Sequence, residues 1–372
     1  MLENFDLIVV GAGLSGSVIA ERAAKILNWK VLIVEKRNHI AGNCYDRKME
    51  NGIRIHQYGP HYFRTNNSQL VDYLSAFTSW IEGNYIVKSL YNSELYPFPI
   101  NLDTLEQFFG QALDPDKAKE LLELKRDKIE YPQNSEELVL SRVGREMYEA
   151  FYKNYTLKQW GKHPRELAAS VCGRIPVRFN RDYRYVDHKF QIMPKDGYTA
   201  MVQKMINHPN IKVLLNTDYR ELKINQSQTM VYSGAIDAYF NYSLGRLPWR
   251  SLHFEFKEFD HEFSQPCGVI NYPNDNDYIR TTETKHITGQ KHDKTVVMYE
   301  YPSAIGDPYY PVPAVENQKQ YEQYKVLADV ETRDKNVYFA GRLAKYAYLN
   351  MDEVIEQALE IFELINKKNI EK

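Results

Sequence analysis

Apolar positions along the chain fall into two patterns. Phe5 to Val10, Lys30 to Glu35 and Asn336 to Ala340 are short runs with almost no polar break, as expected of strands buried on both faces of a parallel sheet. Ile211 to Asn216 and the residues from Met230 to the turn at Ser233-Gly234 repeat that pattern. Leu140, Val143, Met147 and Phe151 recur instead at helical spacing after Asn134 and Ser135, with Tyr148, Tyr152 and Tyr155 on the opposite face. Asn101 to Glu130 also reads as helical: Asp103 and Glu106 suggest a capping box, and Asp114-Pro115 supplies an N-cap and first-turn proline before a helix over Ala118 to Ile129. Phe190 to Met201 leads through Lys195-Asp196-Gly197-Tyr198 into a short helix. From Leu247 strands follow one another, Ser251 to Phe256, Cys267 to Tyr272, Tyr278 to Thr284 and Thr295 to Tyr301, which predicts an antiparallel sheet. Tyr299 to Pro313, rich in tyrosine and proline, reads as a surface loop, and Met351 to Ile365 as a closing helix.

The first strand runs into Gly11-Ala-Gly13-Leu14-Ser15-Gly16, a G-x-G-x-x-G turn that opens a helix. Gly11 permits the tight turn, Gly13 lets backbone approach a pyrophosphate, and Gly16 lets helix and strand pack closely. The helix start offers free amides and partial positive charge to the phosphates. Glu35 ends the second strand about 20 residues past the last glycine, where a carboxylate receives ribose hydroxyls. Lys36, Arg37, Gly42 and Asn43 follow in a loop that would pass close to the cofactor. A glycine turn alone is weak, but strand, glycines, helix, strand and acid stand here in register. Together they predict a bound dinucleotide, and Glu35 disfavours a 2′-phosphate. The last strand ends in Gly341-Arg342 and leads to the helix from Met351, so the two ends of the sequence close one dinucleotide domain. Large flavoproteins are built this way, which favours FAD over NAD. The expected fold is mixed α/β: an FAD-binding Rossmann-like domain from residues 1–75, 200–240 and 330–372, a helical substrate and dimerisation domain with a mobile loop over 76–175, and an antiparallel sheet substrate domain from 176–199 and 241–329.

Composition narrows the function classes. The balance of 47 Lys and Arg against 49 Asp and Glu leaves a net charge of −2, which provides no basic field for nucleic acid. No run approaches the roughly 18 apolar residues of a membrane span, and the chain enters its first strand without a signal-peptide pattern, so a cytoplasmic protein is expected. Cys44, Cys172 and Cys267 are odd in number and widely spaced, suggesting neither a disulfide framework nor a metal site. The 29 tyrosines are unusual; they suit stacking and phosphate or sugar contacts, but equally a tyrosine-rich core.

Position begins to decide between those readings. Tyr155-Thr-Leu-Lys-Gln-Trp160-Gly161 ends a helix with an aromatic cluster, and Gly173-Arg174-Ile-Pro-Val-Arg178-Phe-Asn-Arg181-Asp-Tyr183-Arg184-Tyr185 interleaves arginine with aromatics in a proline-containing, mobile loop. Arginine pairs bidentately with phosphate and an aromatic ring stacks on a base, so a nucleotide ligand fits better than nucleic acid. Taken alone, His61 beside Gly59-Pro60 reads as a turn residue, the Phe151 to Tyr155 stripe as core, and Arg250, Asn271 and Arg280 as polar strand positions that face solvent or ligand equally well.

The motifs GAGLSG, EKRNHIAGNCYD, YGPHYFRTN, YTLKQWG, RIPVRFNRDYRY, GYTAMV, GAIDAYF, GVINYP and FAGRLAKYAYLNMDEVI together resemble the bacterial UDP-galactopyranose mutases over essentially the whole length. The resemblance implies FAD that is active when reduced and an intramolecular transferase that interconverts UDP-galactopyranose and UDP-galactofuranose for cell-surface polysaccharide synthesis. In that chemistry the sugar is held covalently at flavin N5 as an iminium, with no net redox change. It implies Arg174 and Arg280 on the diphosphate; Tyr185, Tyr348 and one of Tyr309 and Tyr310, with Tyr310 preferred, facing phosphate; and Phe151, Tyr155, Thr156, Trp160 and Asn271 around uridine. His61 and Arg250 would lie near flavin and sugar, and the Arg174 loop would close over substrate. A homodimer through the helical lobe is expected, with no metal. Four positions depart from the family pattern: Pro60 for Ala, Arg64 for His, Lys195 or Asp196 for Gly, and Asn350 for Asp. The resemblance implies that the motif around Arg64 faces the sugar, and five guanidinium donors suit a 2-acetamido carbonyl, so UDP-N-acetylgalactosamine is an expected substrate as well as, or instead of, UDP-galactose. A dTDP-linked deoxysugar, a flavin amine oxidase-like reaction and a nonenzymatic nucleotide-sugar binding protein are the alternatives.

Overall fold

The computed structural model describes residues 4–224 and 228–371. The short apolar runs assemble into a five-stranded parallel sheet, ordered Ile211–Leu214, Val31–Val34, Leu7–Val10, Thr229–Tyr232 and Val337–Phe339. Alternate strand residues face opposite sides, and both sides are buried, which is why these runs lack polar breaks. Leu7, Val9, Val31 and Ile33 meet the glycine-turn helix Leu14–Ile26 and the closing helix Met351–Ile370, which pack on each other. Ile8, Leu32 and Val34 meet Tyr321, Tyr324 and Ala328 of a helix over Val315–Lys335. The sequence reading missed that helix. Its buried side chains, Asn317, Tyr321, Tyr324 and Ala328, form a thin stripe in an otherwise charged segment. The helix crosses the expected boundary at residue 330 and belongs with the parallel sheet.

The second sheet has seven strands in the order Tyr310–Pro311, Trp249–Phe259, Thr295–Ser303, Arg280–Glu283, Val269–Asn271, Val87–Tyr91 and Glu94–Phe98. Its pairings are antiparallel except one: Val269–Asn271 runs parallel to Val87–Tyr91. The last two strands come from inside the segment expected to be helical, 76–175. They are joined by a two-residue turn at Asn92 and Ser93, with φ of 49° and 66°, as a tight hairpin requires. The strand Phe190–Pro194 does not join this sheet either; it pairs with Phe63–Thr65 and Trp80–Glu82 in a three-stranded bridge between the lobes. Tyr310–Pro311 is a strand at the sheet edge where a loop was expected.

The helical segment begins with Leu102–Phe109 and Pro115–Lys125. Asp114 caps the second of these as expected, but the helix stops at Lys125 rather than Ile129. The capping box of the first is Asn101 with Thr104, not Asp103 with Glu106; those two carboxylates instead hold Arg181. Ser135–Met147 starts at its Asn134 cap and is broken at Gly144, whose φ is 77°. A wide π-helical turn over Tyr148–Lys153 then leads into Asn154–Trp160. A π turn leaves carbonyls without their usual partners. Asn274 donates to that of Ala150 and accepts from Asn154 Nδ2 at its side-chain oxygen, tying the turn to the sheet domain. Tyr148 and Tyr152 are buried, so both faces of this helix are covered and neither is a free tyrosine face.

Candidate active site

At the C-terminal ends of the parallel strands lies a cavity of about 490 Å³, lined among others by Gly11, Gly13, Leu14, Ser15, Glu35 and Gly341. Open α/β sheets place ligand crevices at this edge. Gly11 sits at φ 104°, and a Cβ there would lie 2.1 Å from Ser233 Oγ, so only glycine fits the turn. Gly13 and Gly42 face each other, a Cβ on Gly42 falling 2.9 Å from Gly13 Cα. Gly16 does not line the cavity: a Cβ there would meet the Gly11 carbonyl oxygen at 2.1 Å, so its role is helix–strand packing rather than cofactor contact. Glu35 is buried and accepts the Ala12 and Arg37 amides, each at 2.9 Å, which fixes its carboxylate in the cavity wall. Lys36, Arg37, Asn43, Arg342 and Met351 complete the wall. Arg37 donates to the Asn43 side chain at 3.0 Å. A narrow, glycine-floored cleft with a helix start at its centre and an acid at one end fits FAD.

Thr217, Asp218 and Tyr219 extend the cavity past Glu35, and the sequence reading missed them. They directly follow a strand of the parallel sheet, and that position is the signal that could have found them.

His61 also lines the cavity. Its amide donates to His56 Nδ1 at 2.9 Å, and its own Nδ1 lies 2.9 Å from the Gly59 carbonyl oxygen, which places the proton on Nδ1 and leaves Nε2 a bare acceptor. Burial and the neighbouring His56 push the imidazole down to about 3, so it is neutral at working pH. The geometry therefore overturns the reading of His61 as a plain turn residue.

Beyond His61 the chain brings together side chains that lie far apart in sequence. The Arg174 guanidinium sits 4.2 Å above the Tyr348 ring, and that of Arg342 lies 5.0 Å from Tyr348 and 5.3 Å from Tyr310. Tyr310 and Tyr348 stack at 5.5 Å, and Trp160 meets both edge-on, at 6.1 and 6.2 Å. Tyr309 packs instead against Tyr58 and Phe254, so Tyr310 is the one of the two in the cluster. Arg280 donates to the Tyr155 hydroxyl at 2.5 Å and pairs in register with Asn271. Burial alone would raise the Tyr348 phenol, but Arg174, Arg342 and Arg280 outweigh it and bring it down to about 8. Tyr185 packs edge-on against Tyr85 at 5.5 Å. Tyr85 was not singled out from sequence, and no hydrogen bond of its hydroxyl is found among the described residues.

Other expected site residues are placed differently. Arg178, Arg181 and Arg184 are paired within their own neighbourhood, to Asp187, to Asp103 and Glu106, and to Asp182, so Arg174 alone of the arginine-rich stretch enters the cluster. Arg250 is held by the end of the helix Asn154–Trp160, donating to the Gln159 and Lys158 carbonyls at 2.8 and 3.0 Å. These contacts anchor the helix that carries Tyr155 and Trp160, and Tyr310 is the strand partner of Arg250. Phe151 is buried among Tyr91, Tyr96 and Phe108, and the Thr156 hydroxyl lies 3.8 Å from Cys172 Sγ, both in the core behind the site. Arg64 donates to the Asn350 side-chain oxygen at 2.8 Å, so two of the departures from the family pattern contact each other.

A family model described as UDP-galactopyranose mutase matches residues 150–348, and one described as an NAD(P)-binding Rossmann-like domain matches residues 9–77. A probable UDP-galactopyranose mutase of Klebsiella pneumoniae is 40% identical over 366 residues, spanning 96% of this chain and 94% of that protein. The chain belongs to the UDP-galactopyranose mutase family. Its fold matches the crystal structure of a reduced UDP-galactopyranose mutase with a TM-score of 0.75 at 14% identity, covering 98% of this chain and 96% of that one. Members of the UDP-galactopyranose mutase family are FAD-dependent, and the chain is a nucleotide-sugar pyranose/furanose mutase, an isomerase. Membership sets aside the amine-oxidase and nonenzymatic binding alternatives. A dTDP-fucopyranose mutase of Escherichia coli is 38% identical over 378 residues, spanning 98% of this chain and 99% of that protein, so the family alone leaves base and sugar open. Among the described residues no helix is long and apolar enough to cross a membrane, and no three His, Cys, Asp or Glu side chains converge as a metal site.

Proposed function

We propose that this mutase interconverts the pyranose and furanose forms of UDP-galactose and of UDP-N-acetylgalactosamine, with no net redox change. Support comes from one observation above the others: Arg174, Arg280 and Arg342 converge on the stacked pair Tyr310 and Tyr348 beside the cofactor cavity, whose lining includes Arg342. Reduced FAD, when bound, supplies the nucleophile that displaces the nucleotide from the anomeric carbon. The chain's own task is to let a diphosphate leave and return. Expelling it concentrates negative charge on the departing oxygen, and preorganised guanidiniums in a water-poor site lower that cost without reorganising. Tyr155 orients Arg280, and the Tyr348 ring orients Arg174. Trp160 offers its face to the nucleotide base, and neutral His61 presents Nε2 as an acceptor at the cofactor end. Arg64, held by Asn350, contributes donors on the sugar side, where an acetamido carbonyl would bond.

A mutase for a dTDP-linked deoxysugar is the second reading, favoured by the Escherichia coli relative. Both are tested by incubating dithionite-reduced holoenzyme with UDP-galactose, UDP-N-acetylgalactosamine and dTDP-fucose in turn and separating the furanose products chromatographically. Turnover of both UDP sugars is expected. Turnover of dTDP-fucose alone would replace the first reading with the second, and turnover of none would remove both.

A further inference from the structure

Glu300 lies on the strand Thr295–Ser303, directly opposite Arg280 on the neighbouring strand. It is 1% exposed, and its Oε2 is 3.7 Å from Arg280 Nη1, near enough for strong attraction but too far for a hydrogen bond. Among the described residues neither its Oε1 nor Arg280 Nε has a partner that meets hydrogen-bond geometry, and the Thr282 hydroxyl is the polar group beside the carboxylate. The backbone at Gly59 closes over the same carboxylate, a Cβ there falling 3.8 Å from Oε2. Buried ion pairs that serve structure have their remaining donors and acceptors satisfied, because each unmet group carries a large desolvation cost. This pair is unsaturated on both sides, and it stands beside the Tyr155 contact of Arg280.

We propose that Glu300 is the resident counter-anion of Arg280, and that substrate diphosphate takes its place electrostatically while Glu300 takes up one proton from solvent. The inference rests on the reading of Arg280 as a diphosphate ligand. In the free enzyme the carboxylate offsets the guanidinium charge. When a dianion arrives in the same low-dielectric space, two anions compete for one cation, and the weaker acid yields by protonation on a carboxyl oxygen; no other bond forms or breaks. On release of the sugar nucleotide the proton returns to solvent. Glu300 is thus a positioning residue that keeps Arg280 aimed when the site is free of nucleotide and moderates affinity so that product departs.

The neighbouring groups leave a clean window. Burial raises the Glu300 carboxyl, with Arg280 pulling against it. Tyr85, Tyr155 and Tyr310, which face the pair from three other segments, are all held above the ordinary phenol value by burial and stay neutral. Tyr348 titrates at about 8, and His56 and His61 at about 3. Between the two imidazoles and the Tyr348 phenol, the carboxyl of Glu300, which burial raises, is therefore the group of this cluster placed to gain a proton.

The test is calorimetric titration of oxidised holoenzyme with UDP-galactose, whose diphosphate diester does not titrate in this range, in buffers of different ionisation enthalpy. Wild type should take up close to one proton per ligand bound, with affinity falling toward about tenfold per pH unit. Glu300→Gln should abolish the uptake and flatten the profile. No uptake by wild type, or uptake retained in Glu300→Gln, would overturn the proposal. The wild-type measurement stands alone if the variant fails to fold. Unchanged UDP-galactose affinity in Arg280→Ala would instead overturn the diphosphate site itself.

Discussion

The cofactor cleft and the arginine–tyrosine cluster are neighbours built on opposite principles. The cleft is made of backbone: Gly11, Gly13 and Gly42 clear space, a helix start supplies amides, and one side chain, Glu35, is held by two of the chain's own amides. The cluster is made of side chains delivered by four separate segments, bearing Arg174, Arg280, Tyr310 and Tyr348, each oriented by another member. A backbone site fails as a whole when one position is wrong. A side-chain site loses function one contact at a time and leaves the fold standing.

The sharpest way to break that contrast is Gly16→Val. With the Gly11 carbonyl oxygen only 2.1 Å from a Cβ, the helix must separate from its strand, and complete loss of bound flavin is expected, read from the visible absorbance of the purified protein. A yellow, fully loaded variant would show that the cleft is less dependent on its glycines than described. Arg174→Ala is the counterpart in the cluster. It should lower kcat/KM by about 10²- to 10³-fold while flavin content and melting temperature stay near wild type.

The two sites also differ in how much of each was legible. The parallel strands, the glycine turn and Glu35 form one local pattern, because βαβ units are contiguous and their periodicity survives in the sequence. The hairpin at residues 87–98 was lost because it enters the sheet through a non-local parallel pair, with Val269–Asn271. The helix over Val315–Lys335 was lost because four buried positions in 21 residues leave too little apolar signal. In the cluster, residue chemistry singled out Arg174 and Trp160, but only resemblance to a family tied them to Arg280 and Tyr348. The contact of Arg250 with a helix end was not legible, since a strand arginine that anchors a helix and one that meets a ligand look the same in sequence. Glu300 and Tyr85 gave no local sign at all.

Smaller effects sharpen the comparison further. In wild type, affinity for UDP-galactose should take a second, additional fall that begins near pH 8. The Tyr348 phenol, brought down to about 8 by its arginines against the opposing effect of burial, ionises there and sets negative charge beside the diphosphate. The fall approaches about tenfold per pH unit and is absent in Tyr348→Phe, as a binding titration across pH 7 to 9.5 would read. Arg64→His should shift the ratio of kcat/KM for UDP-N-acetylgalactosamine over UDP-galactose by about tenfold toward galactose, in keeping with about 1–3 kcal/mol for a small recognition group. An unmoved ratio would take Arg64 and Asn350 out of sugar recognition.

The cofactor sheet has an early strand, Leu7–Val10, in its middle and a very late one, Val337–Phe339, at its edge, and the helix Met351–Ile370 rests on the helix Leu14–Ile26. A ribosome making this chain therefore releases both substrate-binding lobes before the flavin compartment has its last wall. Prosthetic-group loading is then an event that follows synthesis. A nascent chain arrested short of residue 337 should hold its large sheet and remain colourless.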